Sequence, residues 1–146
     1  MKQRNGSIWD QIHHNAVALI SLVVAISTLS YTTWRNEESE DNWNQRVAAF
    51  EVLVKLNELQ QIIFHHHYDK DTQDRGNPRA AWAYVLTVRD LSSILNDPLP
   101  KESEDLLRVW GENWETLQSS QESLDRVLGE LDEMREATKA LLADLE

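Results

Sequence analysis

Three consecutive histidines, His65–His67, are the residues of this chain whose type points most directly to chemistry. Imidazole binds metal ions, and the carboxylates of Asp69, Asp71 and Asp74 follow closely. Neighbouring residues of a helix, however, point about 100° apart, so three adjacent imidazoles cannot close on one ion. Metal-binding helices space their ligands three or four residues apart, and His65 with Asp69 supplies only two ligands. We therefore expect polar residues at a helix end, where a protonated histidine complements the helix dipole, and no metal site.

The polar loop that follows, residues 69–76, has the acidic start of a calcium-binding loop without the rest of the pattern. In an EF-hand beginning at Asp69, Gln73 would stand at a ligand position, Asp74 at the glycine and Ala80 at the final glutamate. The sequence also has no glycine-rich phosphate loop, and nothing in it places a histidine and a carboxylate around a serine or threonine nucleophile. We therefore predict a non-catalytic protein with no cofactor.

Tryptophan recurs in the later part of the chain, at Trp82, Trp110 and Trp114. Aromatic side chains dominate binding hot spots, so an apolar groove between them would suit a small ligand or a protein partner. Trp110 and Trp114 are four residues apart and share one helix face, which core packing explains as well. The sequence leaves both interpretations open.

The overall composition restricts the classes of partner. The 146 residues include 14 Lys and Arg, 25 Asp and Glu and no Cys, for a formal charge of −11. Nucleic-acid binding is not expected, because it needs a basic surface that displaces counterions from phosphates. A disulfide framework is impossible without Cys. With only four Gly and three Pro, tight turns are few, which favours long helices over an all-β fold.

An uncharged stretch lies near the N-terminus, because residues 11–34 contain no Asp, Glu, Lys or Arg. A helix needs about 20 residues to cross a bilayer core, and this stretch exceeds that length. Trp9 precedes it, and Tyr31 and Trp34 lie at its far end, where aromatic rings favour the headgroup level. We predict a short tail over residues 1–10 and a transmembrane helix over residues 11–34, in contact with lipid. A cleaved signal peptide and a buried core helix are the alternatives.

The remaining residues, 35–146, are predicted to form an acidic helical domain. Residues 36–146 hold 24 Asp and Glu against 11 Lys and Arg, a formal charge of −13. Apolar residues recur at helical spacing over about 36–69, 78–96, 101–118 and 120–145, with no strand pattern. Asn77 and Pro78 fit an N-cap and a first-turn proline, and the capping-box pattern from Ser119 marks a separate last helix. The alternative is one uninterrupted helix after residue 101.

The fold class is therefore all-α, with the membrane helix continuing into an antiparallel three- or four-helix bundle. The first soluble helix has two neighbouring apolar stripes, so we expect it to pack against more than one helix. The first stripe is Ala49, Val52, Leu56, Leu59 and Ile63, and the second is Trp43, Val47, Phe50 and Val54.

The last helix carries a strict seven-residue apolar repeat typical of a coiled coil. Its members are Leu124, Val127, Leu131, Met134, Thr138, Leu141 and Leu145. The repeat fits either the interior of the same bundle or a contact with another subunit. Together with the three tryptophans, Leu124, Leu131 and Leu141 are therefore the predicted partner or ligand surface.

Where the span ends, the chain reads Tyr31-Thr32-Thr33-Trp34-Arg35-Asn36-Glu37. With the helical pattern that follows to residue 68, this resembles a group of uncharacterised bacterial single-pass membrane proteins. The resemblance implies a membrane anchor, a helical body and the bacterial inner membrane, and it transfers no site residue. Lys2 and Arg4 lie on the N-terminal side, and the positive-inside rule favours a periplasmic body.

From these features we expect a non-catalytic single-pass membrane protein that presents an acidic helical bundle to a protein partner or to its own copies. A membrane-anchored sensor that binds a small ligand among the tryptophans is the alternative. A metal-dependent enzyme centred on His65–His67 is a third, less favoured possibility.

Overall fold

The computed structural model describes the backbone of residues 8–145 and the side chains of residues 15–145. The described part is all-α and contains four helices and no strand, which confirms the predicted fold class. They are α1 (Ile8–His67), α2 (Pro78–Ser92), α3 (Leu99–Asn113) and α4 (Gln121–Asp144). The chain divides into two compact units, one ending at Asp41 and the other comprising Asn42–Glu146.

Within the second unit, polar contacts show that α1 and α4 run antiparallel. Near the start of this unit, the Arg46 guanidinium donates to the Leu145 carbonyl, at the end of α4. In the middle, Nη2 of Arg135 on α4 donates to Oε1 of Gln60 at 2.7 Å. At the end of α1, Nδ1 of His67 lies 2.6 Å from the Leu117 carbonyl oxygen, shortly before α4 begins. Residue numbers thus rise along α1 as they fall along α4.

The remaining helices alternate in direction in the same way. Gln45 on α1 binds the backbone just beyond the end of α2, while His66, near the end of α1, binds the Gly76 carbonyl just before α2 begins. Trp82, early in α2, packs against Trp110, late in α3. The second unit is therefore an up-down-up-down four-helix bundle.

The core is built from one apolar row of each helix. All five residues of the first predicted stripe of α1, from Ala49 to Ile63, are fully buried, as the sequence predicts. The other helices contribute mainly aliphatic side chains, together with Trp110. Their fully buried members include Ala81, Val85, Val88, Leu99, Leu106, Leu124, Val127, Leu131 and Met134.

Three of the six buried polar side chains in the described core bond to their own helix. The Thr138 hydroxyl donates to the Met134 carbonyl at 2.7 Å, and the Asn113 amide donates to the Val109 carbonyl at 2.8 Å. The Ser103 hydroxyl donates to the Pro100 carbonyl in the same way. Because such bonds satisfy the polar atom locally, these residues occupy core positions without a partner on another helix.

The helix ends agree with some predicted signals and correct others. Oδ1 of Asn77 accepts a hydrogen bond from the Arg79 amide at the start of α2, as predicted. The last helix is separate, but its N-cap is Ser120, whose hydroxyl oxygen accepts from the Ser123 amide at 3.1 Å. The prediction of Ser119 as the cap was therefore wrong by one residue. Helix α2 ends at Ser92, earlier than predicted, and α3 begins at Leu99, ahead of the predicted Lys101.

From Asn15 onward, α1 is long and apolar enough to cross a membrane by length and composition, with a mean hydropathy of 1.8 in its most apolar window. None of that window is buried, so this stretch forms no part of the core of its own chain. Three hydroxyls of this stretch are paired within the helix: Ser21, Thr28 and Thr32 each donate to the carbonyl four residues earlier, at 2.7–2.8 Å. Such bonds lower the cost of placing hydroxyl groups in hydrocarbon.

Candidate interaction surface

The three histidines of α1 contact three different parts of the chain. Nδ1 of His65 lies 2.6 Å from Oδ2 of Asp69, the pair expected from their spacing. His66 is buried, and its Nδ1 lies 2.9 Å from the Gly76 carbonyl oxygen. His67 binds the Leu117 carbonyl after α3. In the described residues, no group of three or more metal-binding side chains is close enough to hold an ion. The histidines thus tie the end of α1 to both neighbouring loops.

Asp71 organises the loop that the sequence compared with a calcium site. Its carboxylate accepts hydrogen bonds from the backbone amides of Asp74, Gln73 and Arg75, at 2.9–3.0 Å. These donors stabilise the ionised form and hold the pKa of Asp71 below its usual value, the bond from Asp74 contributing most. The carboxylate thus binds its own loop, as a structural element of the α1–α2 connection.

The three tryptophans of the predicted ligand surface are brought together. The Trp82 ring meets those of Trp110 and Trp114 edge to face, with centroids 6.2 and 6.3 Å apart. Trp110 is 1% exposed, while the other two are half-buried. The rings therefore contact one another, as in an aromatic core cluster. The indole N–H of Trp110 is buried without a hydrogen-bond acceptor. The sensor hypothesis remains a prediction.

The seven-residue repeat of α4 faces its own bundle. Leu124 and Leu131 are fully buried, and Leu141 is 7% exposed. All three belong to the hydrophobic core, packed with residues of α1 and α3. Their proposal as a partner surface is therefore corrected, because side chains that close the bundle are not accessible to another chain.

A shallow polar groove lies between α3 and α4, with a volume of about 340 Å³. Its lining residues include Arg108, Arg126, Gly129, Glu130 and Glu133. Partial burial, followed by repulsion from Glu133 and Asp105, raises the pKa of Glu130. Charges of both signs are mixed along the groove, so it shows no clear preference for one kind of ligand.

The second predicted stripe of α1 is exposed along its whole length. Trp43 is 67% exposed and Phe50 is 59% exposed, whereas the interleaved Val52 is completely buried. The exposed row continues through two polar residues to two further aromatic ones. We call it the outer seam, and it consists of Trp43, Val47, Phe50, Val54, Asn57, Gln61, Phe64 and Tyr68.

The outer seam follows a regular seven-residue pattern. Its residues are alternately four and three positions apart, which keeps them on one side of a helix over about 38 Å. The buried row that begins at Ala49 has the same repeat on the opposite side of α1. As expected, α1 packs against more than one helix, since Gln60 accepts from Arg135 on α4 and Lys55 lies over the ring of Tyr84 on α2, but the second stripe takes no part in this packing. One helix of a four-helix bundle can turn only one side to the core.

The edges of the outer seam differ in charge. Arg46 lies on one edge, while Glu51 and Glu58 lie on the other. The ammonium group of Lys55 forms ion pairs with both glutamates, at 3.4 Å to Glu51 and 2.9 Å to Glu58. The shorter pair is also a hydrogen bond, and it contributes most to raising the pKa of Lys55. The seam itself contains no charged residue. It is thus an uncharged apolar strip on an acidic bundle.

At the predicted membrane interface, the side chains of Tyr31 and Trp34 are each 60% exposed. Their rings pack against each other in a tilted arrangement, with centroids 6.2 Å apart. The side chain of Trp9, the other predicted interface residue, lies outside the described residues. Two adjacent exposed aromatic rings after an uncharged stretch suit the headgroup region of a bilayer.

No protein-family model, curated protein or solved structure matches this chain. The surfaces of the chain itself are therefore the guide to its function. The sequence pointed to the three tryptophans and to the repeat of α4, which the structure places largely in the core. The outer seam was not among the residues predicted from the sequence to form a partner surface. A signal for it was present, since one helix of a four-helix bundle buries only one apolar repeat and this helix has two.

Proposed function

We propose that the protein is a single-pass membrane protein that presents an acidic four-helix bundle for association with other protein chains. The observation that carries this proposal is the exposure of two apolar surfaces on one helix. One is the stretch from Val17 to Leu29, and the other is the outer seam. Exposing a large apolar surface to water is unfavourable, so such a surface usually marks a site that contacts a membrane or another protein.

The two surfaces suit different environments. Around the first, large apolar side chains are exposed on every side of the helix, as expected for lipid contact. The outer seam is confined to one side, and its bundle has a strong negative charge, which disfavours anionic lipid. A protein partner therefore fits the outer seam, while lipid fits the stretch before Leu29.

Localisation in the bacterial inner membrane, with the bundle in the periplasm, is part of the same proposal. The sequence resemblance and the basic residues Lys2 and Arg4 support it. A signal peptide of similar composition would instead be removed near Ser27 or Ser30, and would release a soluble bundle. The proposal requires the uncleaved chain.

Extraction of membranes at alkaline pH, combined with the intact mass, tests the anchor. We expect the full-length mass, retained in the membrane pellet. The substitution Val23→Arg costs about 2.5–3.5 kcal/mol of insertion free energy at the centre of a span, and should lower the retained fraction. The control Thr87→Arg, on α2 of the bundle, should have no effect. A soluble chain lacking its first residues would refute the proposal, and a reporter fused after Glu146 determines the side of the bundle.

A further inference from the structure

We propose that the outer seam binds the outer seam of a second copy of this chain, forming a parallel, in-register homodimer. This inference rests on the proposed function, because two copies anchored in one membrane enter the water phase with the same orientation. It names the partner that the proposed function leaves open. Its support lies in the spacing, the charges and the area of the seam.

The spacing of the seam fits a helix with the same repeat. Alternation of four and three residues allows two helices to interlock their side chains over several turns, as in a coiled coil. Val47, Val54 and Gln61 occupy one set of seam positions, and Trp43, Phe50 and Asn57 begin the other. A second copy in parallel register offers a matching row at every position, and a two-fold axis relates the two surfaces.

Charge favours the parallel arrangement over the antiparallel one. In a parallel pair, a residue on one edge of the seam faces the residue five positions later on the opposite edge of its partner. The Arg46 guanidinium, which has five N–H donors and uses one of its nitrogens for the Leu145 carbonyl of its own chain, then faces Glu51 of the second copy, and the symmetric pair forms on the other side. In an antiparallel pair like edges meet, so Glu51 and Glu58 of one copy lie near Glu58 and Glu51 of the other. The first arrangement is attractive and the second is repulsive.

The polar residues in the middle of the seam also select the register. Asn57 and Gln61 are exposed between the apolar halves of the seam. In register, each amide side chain meets its own counterpart and can exchange hydrogen bonds with it. Shifted by one repeat, the same amides would face apolar side chains and lose these bonds. Single polar residues in coiled-coil seams specify register in this way.

The exposed area reaches the lower limit for a specific dimer. Four aromatic and two valine side chains in the seam are between 38% and 67% exposed. With about 150–250 Å² for each aromatic side chain, the apolar area available is roughly 600 Å² per copy. Two copies would bury roughly 1,200 Å², where stable interfaces begin. Confinement to one membrane raises the effective concentration, so an interface of this size suffices.

The chain has no native cysteine, so single substitutions allow disulfide trapping without background. We choose Val47→Cys, Val54→Cys and Gln61→Cys in the full-length chain, in membranes. Each should form a dimer with itself under mild oxidation. Ala83→Cys, on the exposed face of α2, is the control and should remain monomeric. In mixed samples, chains with Val47→Cys should not link to chains with Gln61→Cys.

A charge placed in the seam gives a second test that leaves the core intact. Phe50→Glu brings two like charges together in the dimer, and should reduce trapping at Val54→Cys several-fold. Ile94→Glu makes the same chemical change at a residue that is 66% exposed outside the seam, and should leave trapping unchanged. Circular dichroism of both variants should match that of the parent protein, since neither side chain is buried.

Each outcome has a definite meaning. Links between Val47→Cys and Gln61→Cys, without self-links, would indicate an antiparallel pair and overturn the proposal. Monomers throughout, in chains retained by the membrane, would refute the dimer while leaving the proposed anchor intact. A spin label at Val54→Cys immersed in lipid would make the bilayer the occupant of the seam and also overturn the dimer. Loss of membrane retention would instead refute the proposed function.

Discussion

Gly76 lies where the loop after α1 touches the end of that helix, and no side chain fits there. A Cβ atom on residue 76 would lie 2.0 Å from the Asp71 carbonyl oxygen, and 2.6 and 2.8 Å from the backbone N and Cα of His66. All three atoms belong to the backbone, so no rotation of a side chain relieves the overlap. The substitution Gly76→Ala must therefore move the loop away from α1.

The cost follows from what this movement breaks. The buried His66 ring would lose its 2.9 Å contact with the Gly76 carbonyl, and an unsatisfied buried polar group costs about 1–3 kcal/mol. With the displaced loop, we expect Gly76→Ala to lower the free energy of unfolding by about 2–4 kcal/mol. At about 4–8 °C per kcal/mol for a domain of this size, the melting temperature should fall by about 8–30 °C.

Gly129 provides the matched control. It lies within α4, and a Cβ atom there would meet nothing within 4 Å. Gly129→Ala should therefore stabilise the bundle by about 0.5–1 kcal/mol, the usual gain from alanine in a helix. Urea unfolding of the full-length chain in detergent, followed by near-ultraviolet circular dichroism of the tryptophans, measures both changes. Equal effects of the two substitutions, or a change below about 0.5 kcal/mol for Gly76→Ala, would refute the steric argument.

Three further predictions concern the described hydrogen bonds and pKa shifts. The pKa of Asp71 is lower in the folded state than in the unfolded chain, so the ionised carboxylate stabilises the fold at any pH above the usual pKa of an aspartate. This stabilisation is lost as the pH falls and the carboxylate becomes protonated. Asp71→Asn should thus reduce the loss of stability between about pH 5 and pH 2 in urea titrations. Glu130 has the opposite shift, so Glu130→Gln should raise stability at pH 7, with the gain vanishing near pH 3. Ser120→Ala removes the N-cap bond to the Ser123 amide, and should cost about 0.5–2 kcal/mol in the same unfolding experiment.

Each of these three predictions can be checked by a specific result. An unchanged acid profile for Asp71→Asn would mean that the loop amides do not favour the ionised carboxylate. A constant effect of Glu130→Gln at every pH would attribute the change to packing, since only a titrating group produces pH dependence. Restoration of the lost stability by Ser120→Asp, another good N-cap residue, would support the capping argument.

The helices could be predicted from the sequence because the spacing of apolar residues and the capping residues at helix ends depend only on neighbouring positions in the chain. The row from Ala49 to Ile63 and the Asn77 cap were both identified correctly. Apolar residue type does not identify the buried face of α2, however: Tyr84 and Leu91 are only half-buried, whereas Ser92 is fully buried. A pattern that counts apolar residues passes over a serine, although a small hydroxyl side chain fits a crowded core position.

The candidate surface could not be predicted in the same way. Both the α4 repeat and the outer seam are valid coiled-coil patterns, and periodicity does not reveal which of them meets its own bundle. That choice depends on the three-dimensional arrangement of four helices. The structure decides it by burying Leu131 completely while leaving Val54 47% exposed. The three histidines show the same limit, since their separate partners lie at distant positions in the sequence.

The polar centre of the outer seam bears on how long two copies would stay together. Asn57 and Gln61 divide the apolar residues into a longer block, from Trp43 to Val54, and a shorter one, Phe64 and Tyr68. Neither block alone offers the contact area of a lasting interface, so one can separate while the other still holds. If the proposed dimer forms, this division would let it exchange its subunits, so that newly made chains would mix with older ones within a single membrane.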